Sequence, residues 1–276
     1  MELTWHPAPA KLNLFLHVLG RRSDGHHELQ TVFRLIDRCD RVGIAARSDE
    51  TIAFDGPFGE ENLCVQAARL LKEATGAKAG CDLALEKNLP VGGGLGGGSS
   101  DAASVLLALN RIWKLHLGRE KLQTIAARLG ADVPFFIFGR NALGEGIGER
   151  LQALDLPPAW YLVLEPQVAV STREIFTAAA LTRDTKRLKL PPFLSGQGHN
   201  DLEAVVTARY PAVAAQLAWL RGRCPQARMT GSGACVFAEF ETKREALAVQ
   251  SQMPGGMGGF VAQGLGRHPL HDWAED

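Results

Sequence analysis

Residues 89–103 read LPVGGGLGGGSSDAA, and six of the seven residues from 92 to 98 are glycine. The alternating segment CDLALE precedes this run at 81–86, and the apolar segment SVLLALN follows it at 104–110. Alternation predicts a strand, and Ser99, Ser100 and Asp101 are residue types that favour a helix N-terminus. Glycine has no Cβ, so backbone N–H groups can approach a phosphate closely, and the helix contributes its positive end. We therefore predict an anion-binding loop between a strand and a helix.

Three other interpretations of the glycine run must be weighed. A flexible linker is disfavoured because the run lies between an alternating strand and a capped helix. Gly92, Gly94 and Gly97 also match the G-x-G-x-x-G pattern of dinucleotide-binding oxidoreductases. Against this class, the preceding strand is half polar and no acidic residue follows at a strand end about 20 residues on. No G-K-[ST] ending follows, which excludes an ordinary Walker loop, so any phosphate-binding lysine must come from elsewhere.

The composition is that of an ordinary globular protein, and 276 residues are enough for two domains. Thirty basic and thirty acidic residues leave no net charge, so no overall field is available to hold nucleic acid or an anionic membrane surface. The amino-terminal sequence MELTWHPAPAKLNL lacks the pattern of a signal peptide, and no apolar stretch reaches the roughly 18 residues of a spanning helix. We expect a cytoplasmic protein without a nucleic-acid or membrane partner.

The five cysteines are odd in number and far apart, and the chain has no C-x-x-C pair. This spacing favours free thiols over a disulfide framework or a cysteine-rich zinc site. The eight histidines include no H-x-x-x-H pair. We therefore predict no protein-bound structural metal.

Outward from the loop, strands and helices alternate in both halves, which predicts an α+β protein. Residues 11–18, KLNLFLHV, predict a half-buried strand with Lys11 and Asn13 on its polar face, and a second strand is expected at 29–35. Helices are expected at 62–75 and in KLQTIAARLG at 121–130. The segment LDLPPA at 154–159 is the best candidate boundary, giving predicted domains 1–155 and 156–276. In the second domain we predict helices near 172–181, 201–221 and 243–252, and strands at 160–164, 234–240 and around Phe260.

Three separated segments resemble, in order and spacing, the motifs of the GHMP kinase superfamily. They are PAPAKLNLFLHVLGRRSDGHHELQT, LPVGGGLGGGSSDAA and MTGSGACVFAEF. The resemblance implies a ribosomal-protein-S5-like N-terminal domain and a ferredoxin-like C-terminal domain, with the active site in the cleft between them. It also implies an enzyme that transfers the γ-phosphoryl group of ATP, with Mg²⁺, to an alcohol of a small molecule. The first and third segments resemble most closely the branch that phosphorylates the C2 hydroxyl of diphosphocytidyl-methylerythritol in non-mevalonate isoprenoid biosynthesis.

The resemblance gives roles to single residues. Asp132 matches the catalytic carboxylate that accepts the proton of the substrate hydroxyl, and Lys11 matches the lysine beside it. Without the resemblance, Asp132 would be interpreted as a helix cap and Lys11 as a solvated strand residue. The ATP-binding loop comprises Pro90, Val91, Gly92, Gly93, Gly94, Leu95, Gly96, Gly97, Gly98, Ser99 and Ser100.

A substrate carrying a cytidine diphosphate group is the implied partner. Asn13 resembles a substrate-contacting position, His27 matches the histidine that binds the cytosine edge, and Phe176 resembles an aromatic that stacks on cytosine, with Thr172 nearby. The family usually has Gly-Tyr-His after the turn, whereas this chain has Gly25-His26-His27. A histidine has a smaller stacking face and can change charge near neutral pH, so we expect His26 to give a weaker and more pH-sensitive contact with the cytidine.

The motifs leave two further possibilities for the function. Another GHMP kinase, of the homoserine or mevalonate type, would share the phosphate loop but lack the cytosine-binding pair His27 and Phe176. A non-catalytic nucleotide or sugar sensor on the same fold would bind without turnover and would tolerate loss of Asp132. The segment Gly231-Ser232-Gly233 is expected either to close over the site and support the phosphate loop or to be a tight turn that needs glycine.

Overall fold

A six-stranded sheet forms the centre of the first half of the chain. In the computed structural model, which describes residues 2–189 and 198–275, its strand order is β3-β4-β2-β5-β6, with β1 paired to β2. The strands are β1 Thr4–Arg21, β2 His27–Arg47, β3 Ile52–Asp55, β4 Gly80–Glu86, β5 Ala142–Gly146 and β6 Arg150–Ala153. The β3–β4 pair is parallel and the other pairs are antiparallel. The predicted strands at 11–18, 29–35 and 81–86 therefore all belong to this sheet.

Four helices cover one face of this sheet and bury a common apolar core. They are α1 Leu63–Thr75, α2 Gly97–Ile112, α3 Arg119–Ala126 and α4 Val133–Phe138. Helix α1 begins at Leu63 because the Asn62 side chain accepts from the Cys64 N–H, and it ends at Gly76 in the left-handed conformation. Helix α2 is buried from Ser100 to Asn110, so it is the central helix of the layer and carries the end of the glycine run on a rigid support.

A four-stranded sheet with order β10-β7-β9-β8 forms the second half. Its strands are β7 Trp160–Glu165, β8 Arg228–Met229, β9 Val236–Phe240 and β10 Gly258–Gln263. The helices that accompany it are α5 Thr172–Thr177, α6 Glu203–Arg209, α7 Pro211–Arg221 and α8 Lys243–Gln250. A capping box between Thr242 and Glu245 starts α8. The α+β prediction is confirmed.

Two predicted helices differ from the observed ones. The helix expected at 201–221 is divided into α6 and α7 at Tyr210, because Pro211 has no N–H to continue the first helix and instead occupies the first turn of the second. The helix expected at 172–181 ends at Thr177. The Arg183 guanidinium takes the carbonyl oxygens of Phe176 and Ala178, which a continuing helix would have used.

Strand β1 is not half-buried as predicted, because both of its faces are covered. Leu12, Leu14 and Phe15 pack with Tyr161 and Phe237 of the second sheet in one shared core. The register of β1 against β2 also shifts between Asn13 and Leu16, which breaks the simple alternation. The polar residues of β1 are therefore enclosed between the two halves of the molecule, where the cleft lies.

The C-terminal segment returns from the second sheet to the first half. Leu270 and Ala274 join the core beneath the first sheet, and the Arg119 guanidinium donates to the carbonyl oxygens of Ile137, His271 and Ala274. The two sheets separate between β6 and β7, but the last residues belong spatially with the first sheet. The division into residues 1–155 and 156–276 stays a prediction.

Candidate active site between the two sheets

A cleft of about 560 Å³ lies where the two halves meet, and the glycine run forms one of its walls. Strand β1 contributes Lys11 and Asn13, the N-cap of α4 contributes Asp132, and α5 contributes Thr172 and Phe176. All of them are among the site residues that the sequence predicts. The fold brings them to one cavity.

The glycine run adopts a backbone that side chains would disturb. Gly94 has φ +77°, and a Cβ there would lie 2.3 Å from the carbonyl oxygen of Thr230. Gly96 has φ +71° and is the N-cap of α2, so the helix begins at Gly97. Ser99 and Ser100 therefore lie inside the first turn, and the serine cap suggested by the sequence is wrong because the left-handed glycine starts the helix earlier. The glycine run and the start of α2 line the cleft, which is the placement expected of an anion site at a helix N-terminus.

The segment that contains Gly231, Ser232 and Gly233 packs against the glycine run. Ala234 and Cys235 donate their N–H groups to the carbonyl oxygens of Gly92 and Gly93, at 3.2 and 3.0 Å. The Asn200 side chain in turn donates to the Met229 and Gly231 carbonyl oxygens. The second half of the molecule thus holds the glycine run in place from one side.

Lys11 and Asp132 meet at the opening of this cradle. Lys11 Nζ lies 3.4 Å from Asp132 Oδ2 and donates to Asn13 Oδ1 at 2.5 Å. The Lys11 side chain is 4% exposed, whereas that of Asp132 is 34% exposed. Asp132 occupies the N-cap position of α4, but its side chain makes no capping hydrogen bond. The carboxylate is therefore directed to the lysine and the cleft, and it remains accessible to a ligand.

Asn13 connects this pair to the surrounding strands. Its Nδ2 donates to Thr31 Oγ1 and its backbone N–H donates to Thr230 Oγ1, each at 2.8 Å. The Lys11 backbone N–H donates to the carbonyl oxygen of Leu95 in the glycine run. These bonds fix the strand that carries Lys11 against both the phosphate loop and the second half, so the ammonium position is determined by the fold.

The predicted base-binding residues come from α5, which lines the cleft with Phe176, and from the start of β2, where His27 lies. The rings of His27 and Phe176 pack with centroids 5.1 Å apart and an interplanar angle of 37°. Thr172 Oγ1 and Ser232 Oγ are 2.7 Å apart and share a hydrogen bond. The pKa of His27 is lowered by burial and then by the charge of Arg183, so the imidazole is neutral near pH 7.

His26 is placed differently from the other predicted site residues. Its side chain is 63% exposed and points to the turn, where Nδ1 lies 3.3 Å from Asp24 Oδ1. Its backbone N–H also donates to Asp24 Oδ1. The structure therefore does not bring His26 into the cleft lining with Phe176 and Thr172.

The chain is similar to known proteins over nearly its whole length. The family models for the GHMP kinases N terminal domain and the GHMP kinases C terminal match residues 62–140 and 177–258. A protein named 4-diphosphocytidyl-2-C-methyl-D-erythritol kinase from Nitrosospira multiformis is 58% identical, with 98% of this chain and 94% of that one covered. The protein of the same name from Thiobacillus denitrificans is 57% identical, with 98% of each covered. The chain belongs to the GHMP kinases.

Solved structures show how far the GHMP kinase fold extends. A crystal structure of 4-(cytidine 5'-diphospho)-2C-methyl-D-erythritol kinase matches with a TM-score of 0.83 at 36% identity, covering 95% of this chain and all of that one. A homoserine kinase from Cytophaga hutchinsonii matches with a TM-score of 0.71 at 17% identity over 97% and 96% of the two chains. The latter likeness shows the fold alone. The predicted two-domain GHMP kinase fold is confirmed, and the protein is an ATP-dependent kinase.

A buried charge cluster behind the phosphate loop of this GHMP kinase escaped the sequence analysis. Lys87 Nζ donates to Asp40 and, at 2.8 Å, to Asp101 Oδ2. Asp40 Oδ1 also accepts the N–H groups of Asn88 and Leu89, the residues that lead into the glycine run. Burial raises the pKa of the Asp101 carboxyl to about 7, against the lowering effect of Lys87. Lys87 just before the loop and Asp101 just after it are visible in the sequence, but no local pattern connects them with Asp40, which lies 47 residues before Lys87.

Among the described residues, the cysteines and the possible metal ligands are not arranged as a metal site. All five cysteines are free, as predicted, and burial raises the pKa of the Cys81 thiol to about 12. Within residues 2–189 and 198–275, no three His, Cys, Asp or Glu side chains are grouped so that they could hold a metal ion. In the same ranges, no helix has both the length and the apolar character needed to cross a membrane.

Proposed function

We propose that this kinase transfers the γ-phosphoryl group of ATP to the C2 hydroxyl of 4-diphosphocytidyl-2-C-methyl-D-erythritol. The products would be the 2-phosphate and ADP, and the reaction would belong to non-mevalonate isoprenoid precursor biosynthesis. One observation carries the proposal: Lys11 and Asp132 form a pair in the cleft beside the glycine loop, and Phe176, which also lines this cleft, packs on His27. Relatives with this name share 58% and 57% identity with nearly the whole chain.

Asp132 is the proposed general base. Phosphoryl transfer needs an acceptor hydroxyl that is aligned with the γ-phosphorus and can release its proton as the new P–O bond forms. The Asp132 carboxylate is partly exposed to the cleft and carries no capping bond, so its oxygens are available to accept that proton. Lys11 Nζ, 3.4 Å away, places a positive charge where charge develops on the transferring group.

The backbone of residues 90–100 is the proposed binding site for the triphosphate. Its N–H groups and the tip of α2 replace the role that a Walker lysine has in other nucleotide-binding loops. Mg²⁺ is proposed to accompany the nucleotide, where it would neutralise charge on the β- and γ-phosphates. Ser100 Oγ and Asp101 Oδ1, near the start of α2, are buried and lack a hydrogen-bond partner among the described residues. Such oxygens are ligands that Mg²⁺ prefers.

The cytidine end of the substrate is proposed to bind at His27 and Phe176. Phe176 offers a stacking face, and His27 offers a neutral ring with one donor and one acceptor. Asn13 is proposed to contact the methylerythritol unit beside Lys11, and Thr172 and His26 are proposed to contact the diphosphocytidyl group. The exposed position of His26 requires its side chain to rotate towards the ligand.

A coupled assay of ADP release tests the proposal directly. The purified protein is given ATP, Mg²⁺ and, in separate reactions, 4-diphosphocytidyl-2-C-methyl-D-erythritol, homoserine or mevalonate. We expect turnover with the cytidine compound and at least ~100-fold lower kcat/KM with the other two, because a site with unpaired base-binding groups rejects ligands that lack the base. Turnover of homoserine or mevalonate alone would favour another GHMP kinase activity. Binding of the cytidine compound without ADP release would favour a sensor.

The cytoplasm is the proposed place of the reaction. The five free thiols suit a reducing compartment. The chain has no net charge, which gives no general attraction for nucleic acid or an anionic membrane surface, and no such partner is proposed.

A further inference from the structure

The environment of His27 contains an arginine to which neither the motifs nor the proposed mechanism gives a role. Arg183 lies after α5 in a polar segment of the chain, and its Nε is 3.1 Å from His27 Nε2. The other end of its guanidinium donates to the carbonyl oxygens of Leu181, Phe176 and Ala178, at 3.0, 3.0 and 2.7 Å. A guanidinium has five N–H groups and no acceptor. Most of its donors are therefore engaged, and its position is fixed by the turn that ends α5.

This contact decides which nitrogen of His27 carries the proton. Because arginine only donates, Nε2 of His27 has to be the acceptor in the Arg183 contact and cannot be protonated. A neutral imidazole keeps its proton on the other nitrogen, so His27 has the Nδ1–H tautomer. Burial of the ring and the adjacent guanidinium both lower the pKa of His27, which is consistent with a neutral ring. Among the described residues, Nδ1 has no hydrogen-bond partner.

The two bases that such a site must distinguish differ at the same position. Cytosine has an unprotonated N3, which accepts a hydrogen bond, whereas uracil has an N3–H, which donates one. An Nδ1–H group on His27 therefore pairs with N3 of cytosine and opposes N3–H of uracil. The other tautomer would reverse this preference, because its Nδ1 is an acceptor.

We propose that Arg183 is a positioning residue that holds His27 in the Nδ1–H tautomer and thereby selects cytosine over uracil. The proposal rests on the proposed function, since it assumes that the base of the substrate meets His27. The same guanidinium holds the carbonyl group of Phe176, so it also fixes the aromatic ring that packs on His27. Arg183 thus connects the ring that stacks on the base with the ring that distinguishes it.

The first test measures binding without turnover. Dissociation constants for 4-diphosphocytidyl-2-C-methyl-D-erythritol and its uridine analogue are measured by calorimetry in the absence of ATP, for the parent protein, Arg183→Met and Arg187→Met. Arg187 lies in the same segment and pairs with Glu145 instead of His27, so Arg187→Met is the matched control for loss of charge. We expect the parent and the control to prefer the cytidine compound by roughly 100-fold, and Arg183→Met to lose most of this preference.

A purely structural role for Arg183 would give a different result. If Arg183 only secured the end of α5, Arg183→Met would weaken both ligands equally and leave their ratio unchanged, and this outcome would overturn the proposal. If Arg183→Met loses the preference while the parent keeps it, but the parent does not phosphorylate the cytidine compound, the proposed function is contradicted and the role of Arg183 is supported.

The second test needs no ligand, and its measured quantity comes from the parent protein. Nitrogen-15 NMR of the histidine rings in the parent protein, with the His27 signals assigned by loss in His27→Gln, reports which ring nitrogen is protonated. We expect Nδ1 of His27 to carry the proton and Nε2 to be unprotonated. A protonated Nε2 would exclude the Arg183 contact as the determinant of base selection.

Discussion

One end of the cleft is built mainly from backbone, and the other end is built from side chains. The phosphate end is mostly backbone, from one contiguous run of glycines that a Cβ at Gly94 would obstruct. The acceptor and base end is made of side chains, such as Lys11, Asp132 and Phe176, which come from separate elements. Substitutions at the first end should act through shape, whereas substitutions at the second end should act through chemistry. The comparison can therefore be tested by separating effects on binding and folding from effects on turnover.

The largest effect is expected at the side-chain end, for Asp132→Asn. The amide keeps the size of the carboxylate but cannot accept the proton of the acceptor hydroxyl, so kcat should fall by about 10²–10⁴-fold. Nucleotide affinity should change little, because the glycine run is untouched. Steady-state kinetics and a nucleotide-binding titration measure the two effects separately. Asp155→Asn is the matched control, since that side chain is 98% exposed and pairs only with Arg140 among the described residues. Unchanged turnover in Asp132→Asn would remove the proposed base.

The sequence revealed these two ends unequally. The glycine run could be interpreted locally, because its composition and the following helix together determine an anion site. The Lys11–Asp132 pair came from resemblance to known motifs, since no local pattern places residue 11 beside residue 132. Pro211, which divides the helix predicted at 201–221, is a local signal that the sequence contains. Contacts such as Arg183 with His27 depend on loop conformations that no periodicity encodes, so they could be found only in the structure.

A second prediction tests whether the backbone end depends on side chains behind it. Asp40→Asn removes the charge that pairs with Lys87 and weakens the acceptor for the Asn88 and Leu89 N–H groups. The unfolding free energy should fall by roughly 3 kcal/mol. This value is at the lower end of the range for a broken buried ion pair, because Lys87 still donates to Asp101. Asp101→Asn should cost less than about 1 kcal/mol, since an amide resembles the protonated acid. Urea denaturation measures the unfolding free energy of each variant. Equal losses in the two variants would contradict the inference that the charge of Asp40 matters more for stability than that of Asp101.

The same pair of variants predicts a pH dependence. Burial raises the pKa of Asp101 to about 7 from its ordinary value of 3.8, so the native state holds a proton that the unfolded state releases earlier. The stabilising contribution of this proton is complete below pH 3.8 and is lost as the pH rises through about 7. The parent should therefore lose stability relative to Asp101→Asn between pH 5 and pH 8, by about 1 kcal/mol or more. Parallel stability curves for the two proteins over this range would be the contrary result.

The next prediction concerns the shape of the phosphate end itself. In Gly94→Ala the new Cβ meets the Thr230 carbonyl oxygen, and φ of +77° is unfavourable for alanine. We expect the native conformation of the phosphate loop to be destabilised by about 1–3 kcal/mol. The Michaelis constant for ATP should then rise by about tenfold or more, with a smaller change in kcat. Gly118→Ala is the control, because Gly118 has φ −68° and its new Cβ would lie 3.6 Å from the carbonyl oxygen of Glu275, an ordinary contact. A fall in kcat alone would show that the loop acts in the chemical step.

The smallest effect is expected for His26→Tyr, at the edge of the base-binding end. The His26 side chain is exposed and pairs with Asp24, so it must leave that partner to contact a base. A tyrosine would add a larger stacking face and would not gain a proton on mild acidification. The Michaelis constant for the cytidine compound should therefore fall by about 2–5-fold in the variant and vary less between pH 6 and pH 8. Equal constants for the two proteins across this range would mean that residue 26 does not touch the base. The base-binding end would then consist of the two rings that Arg183 holds, and its specificity would depend on His27 alone.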